Sequence, residues 1–86
     1  MKLRKRFSEN LGFPRELVTD LPSLRIKGFE KLILENYKSI VQDDSDLIRI
    51  NTSSGILKIN GEGLDIGWIT DEMLEINGAI TSVARE

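Results

Sequence analysis

The residues spaced most suggestively for chemistry are glycines. The stretch "INGEGLDIG", Ile59 to Gly67, places Gly61, Gly63 and Gly67 directly after a strand-like run. A glycine loop that holds a dinucleotide reads Gly-x-Gly-x-x-Gly between a strand and a helix, whose N-terminus faces the phosphate. Here the last glycine comes one residue late, Glu62 sets a carboxylate inside the loop, and "LDIGWI" continues as an alternating strand. No Gly-Lys-Ser or Gly-Lys-Thr completes a P-loop. Asn-Gly is instead a strong hairpin signal, because both central positions of such a turn need positive φ. The expectation is that Asn60–Gly61 reverses the chain and holds no nucleotide.

The other polar constellations are weaker. Asp43, Asp44 and Asp46 cluster as calcium ligands do, but the loop lacks the glycine and the bidentate glutamate of a calcium hand, so a solvated acidic turn is expected. Ser53 and Ser54 have no histidine to activate them. Glu35, Asp65 and Glu75 fall at no spacing that pairs them as acid and base. Cysteine and histidine are absent, which removes disulfides, thiolate metal sites and the usual base near neutral pH. Trp68 and Tyr37 are candidates for a stacking platform. Trp68 shares parity with Leu64 and Ile66, which assigns it to the core, and Tyr37 belongs at a strand rim. No enzyme, cofactor or metal is expected.

The elements that would carry any site fall into two textures. Within 86 residues, enough for one domain, Lys2, Arg4, Lys5 and Arg6 put four positive charges in the first six positions, although the net charge is -2. Leu3, Phe7 and Leu11 recur every four residues amid those charges, which predicts a basic amphipathic helical arm over 1–22, stopped by Gly12 and closed by Pro22. From Ser23 to Glu86 the period falls to two. "LRIKG", "LIRIN", "LKING", "LDIGW" and "LEING" alternate apolar with polar residues, and "DDSD", "TSSG", "NGEG" and "TDE" separate them. That spacing leaves no room for helical crossovers and predicts an all-β fold, a small antiparallel β-sandwich or twisted meander with a short N-terminal helical segment. The recurring Leu-x-Ile-x-Gly at Leu24, Leu57 and Leu74 reads as repeated strand-then-turn chemistry. No apolar run approaches the length of a membrane helix, and the basic start lacks a hydrophobic region after it, so the expected location is cytoplasmic.

The segments "LRIKGFEKLILENYKSIVQ", "LIRINTSSGILKINGEGLDI" and "EMLEINGAITSV" resemble the YabP/YqfC family of sporulation proteins, over Ser23 to Val83. The lead "FPRELVTDLPSLRIKG" is similar to the YqfC branch in particular. The resemblance implies a small β-sandwich-like domain over 23–86, made by endospore-forming bacteria, acting without catalysis in the mother cell around the forming spore. It also implies a working partnership with a membrane protein encoded nearby.

The arm and the resemblance converge. A helix carrying Lys2, Leu3, Arg4, Lys5, Arg6, Phe7 and Leu11 has the composition of a segment that binds an anionic membrane or a partner's cytosolic face. The resemblance asks for an adaptor or morphogenetic factor peripheral at the forespore membrane. The competing reading of the arm is that Phe7, Leu11, Leu17 and Val18 cap an open end of the β domain. The competing functions are a nucleic-acid-binding or small-ligand-binding β domain; the acidic body argues against nucleic acid, which is not an expected partner. A homo-oligomer fits the small core. Strand addition at an edge is the expected mode of protein contact, with "KLILEN" and "TSVARE" as candidate edges.

Overall fold

The computed structural model describes residues 21–86. Six strands run along them: β1 Ser23–Lys27, β2 Lys31–Glu35, β3 Tyr37–Asp43, β4 Leu47–Thr52, β5 Gly55–Ile69 and β6 Met73–Arg85. There is no helix among the described residues, and the helical arm expected over 1–22 falls on residues outside them, apart from Leu21 and Pro22.

All six strands form one antiparallel sheet in the order β1-β2-β6-β5-β4-β3. Strands β3 to β6 follow one another as a meander, and the β1–β2 hairpin adds to the far side of β6. Of the two expected forms, the sandwich is therefore corrected to a single continuous antiparallel sheet, nearer the meander. The reason lies in β5 and β6, which are 15 and 13 residues long. One end of β5 pairs with β4, its other end carries on along β6, and the start of β6 pairs with β2. Two strands thus serve both halves of the sheet.

The reversals fall where short polar stretches predict them. Asp44 and Leu47 exchange backbone hydrogen bonds around Ser45–Asp46 (2.9 and 3.3 Å). Thr52 opposes Gly55 around Ser53–Ser54, with the Thr52 hydroxyl donating to the Gly55 carbonyl (2.7 Å) and accepting from the Ser54 N–H. Thr70 closes the third turn the same way, its Oγ1 accepting from the Met73 N–H (3.0 Å).

Asn60–Gly61 does not reverse the chain, contrary to the expectation from its turn chemistry. β5 runs straight through it, and the register against β6 shifts between Asn60 and Gly61, between Glu62 and Asp65, and between Ile66 and Trp68. Such bulges bend a strand and sharpen its twist. At the bend the backbones of β5 and β6 approach closely. A Cβ on Gly61 would overlap the Ala79 carbonyl oxygen, and one on Gly78, at φ +133, would lie 2.7 Å from that of Gly63. Two of the three Leu-x-Ile-x-Gly copies thus place their glycines at the bend, while the third places Gly28 in the β1–β2 turn.

The bend lets one sheet bury its own face. Leu34 on β2 and Ile50 on β4 are separated in the sheet by β6 and β5, yet both are fully buried in one cluster with Leu32, Ile48, Ile59, Leu64, Leu74, Ile76 and Ile80. A flat sheet would leave this face in water, so the two halves fold over each other. Alternation at period two supplies the side chains, as β2 and β4 bury every second residue.

Candidate interaction surface

The fold scatters most residues with chemical potential. Asp44 accepts a hydrogen bond from the Gln42 amide (2.7 Å) in the β3–β4 turn. No three His, Cys, Asp or Glu side chains gather as metal ligands among the described residues. Glu75 lies on the outer face of β6, between Lys31 (3.8 Å) and the Asn77 amide (3.1 Å). Asp65 pairs with Asn77 on the neighbouring strand, and Glu35 with Met73.

Trp68 is corrected from core to surface. The register shift at Gly67 inverts the parity, so Trp68 opposes Glu75 while the next residue, Ile69, opposes buried Leu74. Trp68 is 40% exposed on the outer face. Tyr37 instead packs against the core and donates its hydroxyl to the Thr70 carbonyl (2.5 Å). The two rings are committed to different surroundings and form no platform. The Tyr37 bond, with Asn36 N–H donating to the Glu72 carbonyl (2.6 Å), ties the start of β3 to the β5–β6 turn. Tyr37→Phe is expected to lose about 1 kcal/mol in chemical denaturation, the net value of one such hydrogen bond.

What the fold does concentrate is exposed apolar surface on its first hairpin. Leu21, Leu24, Ile26 and Phe29 are all exposed, within nine residues. Leu24 and Ile26 pair with buried Leu34 and Leu32, so they belong to the inner face, but β1 is the last strand among the described residues and both side chains are exposed. Beside Leu24 lies a cavity of about 180 Å³ lined by Pro22, Leu24, Thr52, Ser54, Gly55, Leu57 and Arg85. The other face of β1 carries Arg25 and Lys27. Neither has an ion-pair partner among the described residues.

Phe29 is the most exposed of these residues, at 73%, and sits at φ +57 beside Gly28 at φ +60. Two consecutive positive φ values suit Asn or Gly, and a bulky side chain there costs about 1–3 kcal/mol. Hydrogen bonds hold the tip in place: the Phe29 carbonyl accepts from the Ile80 N–H (2.9 Å) and the Glu30 carbonyl from the Gly78 N–H (3.1 Å). The sequence contained the signal, since "KGFEK" places a phenylalanine beside a turn glycine between lysines, but nothing in the spacing alone says that the ring faces water.

Strand order assigns the sheet edges. "KLILEN" begins with β2, which is interior, flanked by β1 and β6, and so is not an edge. "TSVARE" lies on the part of β6 that has β5 as its one strand neighbour among the described residues and is an edge there. Its end is pinned by Glu86, whose carboxylate takes two hydrogen bonds from Arg49 (2.8 and 2.9 Å) and whose N–H donates to the Ile56 carbonyl. Strand β3 is an edge with two register shifts against β4, the irregularity that discourages strand pairing. β1 is an edge in unbroken register with β2. The arm residues Lys2, Leu3, Arg4, Lys5, Arg6, Phe7 and Leu11 lie outside the described residues.

A family model described as the YabP family matches residues 20–84. No curated protein and no solved structure matches the chain.

Proposed function

The chain belongs to the YabP family and is thereby a sporulation-related protein; on that premise we propose that it is a non-enzymatic adaptor of the YqfC branch, working in the mother cell at the forespore membrane. The observation that carries this reading is the first hairpin, which spends its exposed surface on Leu24, Ile26 and Phe29 over a basic outer face. That is a surface for contact and not for chemistry. The adaptor's partner is a membrane protein encoded nearby, which makes attachment specific. The arm with Lys2, Arg4, Lys5 and Arg6 adds weak affinity for an anionic surface, at about 1 kcal/mol for each basic side chain. Leu3, Phe7 and Leu11 add apolar contact. Self-association is compatible with this role.

Fluorescence imaging of a C-terminal fusion in sporulating cells tests the proposal. A ring at the forespore membrane that disperses when the neighbouring membrane-protein gene is deleted is the expected result. Signal spread evenly through the cell in both strains would overturn it. A ring that persists after the deletion, and disperses once Lys2 to Arg6 are removed, would replace the protein anchor with lipid.

A further inference from the structure

We infer that the edge of β1, open among the described residues, is a strand-addition site for an extended segment of another protein in which apolar and acidic residues alternate. The inference supplies a surface for the adaptor role, but it concerns binding in solution and does not depend on a membrane. Four observations carry it.

First, β1 keeps unbroken register with β2 along its whole length, whereas β3, the edge at the other end of the sheet, is bulged. Second, an added strand would extend the inner face. Its apolar side chains would lie beside Leu24 and Ile26, covering surface that β1 leaves open. Third, on the opposite face its other side chains would lie beside Arg25 and Lys27, which have no ion-pair partner among the described residues. Opposite charges directly across a strand pair stabilise it and like charges do the reverse. Fourth, Phe29 stands at the end of this edge, in a strained turn position that holds its ring in water. There it caps the added strand with an aromatic contact.

The same charges select against a second copy. Antiparallel self-pairing that overlaps most of β1 is centred on Arg25 or on Ile26. The first register sets Arg25 against its own copy and the second sets it against Lys27, so both oppose like charges.

The test uses the full chain, isotopically labelled, titrated with a peptide of alternating valine and glutamate and with its valine–lysine counterpart. The glutamate peptide should shift and protect the amides of β1 and the Phe29 turn. The lysine peptide should bind about tenfold more weakly, the effect of two or more unfavourable cross-strand pairs. The double variant Arg25→Glu with Lys27→Glu should exchange these preferences, an outcome that requires a folded protein. Phe29→Asn suits the turn better, so it should raise the melting temperature while weakening the glutamate peptide. Equal binding of both peptides, perturbation confined to β3 or the end of β6, or Phe29→Asn without effect on binding would overturn the inference. So would anionic phosphatidylglycerol vesicles that perturb the hairpin while neither peptide does. Failure here leaves the imaging result untouched, and the reverse also holds.

Discussion

Gly61→Ala is expected to destabilise the domain by about 3 kcal/mol or more, a large share of the stability available to so short a chain. The new methyl group would collide with the Ala79 carbonyl oxygen and meet the Leu64 side chain at 2.9 Å. The leucine can rotate, but the carbonyl belongs to the backbone of β6 and cannot yield without moving the bend. Gly63→Ala separates this steric effect from ordinary glycine strain. Gly63 sits at φ +62 with nothing within 4 Å of the place its methyl group would take, so its replacement should cost only about 1 kcal/mol. Urea denaturation of the two variants side by side reads the difference. Similar losses would mean that the strands do not approach at Gly61 as described.

That bend is also where the sequence is hardest to interpret. Period-two alternation from Ser23 onward identifies an antiparallel all-β fold, and Asp43–Asp46, Thr52–Gly55 and Thr70–Glu72 mark real reversals. Asn60–Gly61 carries the same turn chemistry and yet lies mid-strand. The local signal is degenerate, because glycine serves both a reversed turn and a close backbone approach. Which role applies depends on Gly78 and Ala79, remote in sequence. One consequence is that a sandwich stands beside the meander as an expected form: with β5 cut in two at Asn60, the alternating runs make more and shorter strands that sort naturally into two sheets. Uncut, β5 and β6 hold both halves together.

The candidate surface is legible in a different measure. The residues of β1 are visible as an alternating strand, but its place at the end of the sheet is not, because strand order is a long-range property. Without that order, Leu24 and Ile26 read as core like Leu57 and Ile59. Glu75 is held by Lys31 and Asn77, Asp65 lies opposite Asn77, and Glu35 lies opposite Met73. A surface that binds through backbone edges and apolar rows leaves little motif behind, since any sequence with suitable alternation can supply it.

Parity provides the second large prediction. Leu74 is fully buried, opposite Leu34 on one side and Ile69 on the other. Leu74→Ala should cost about 2–5 kcal/mol through lost burial and the cavity it leaves. Uninterrupted alternation from Leu64 would put Trp68 in the same core, where its replacement by alanine would cost about 3–5 kcal/mol. The register shift at Gly67 turns the indole outward instead, so Trp68→Ala should cost about 1 kcal/mol or less. Denaturation of both variants decides between the two parities. A tryptophan loss as large as the leucine loss would place the ring inside, and the bulge at Gly67 would then be wrong. A small tryptophan loss beside a large leucine loss fixes which face of β6 is core. It thereby fixes the outer face on which Glu75 and Lys31 meet, the face that also carries Arg25 and Lys27 of β1.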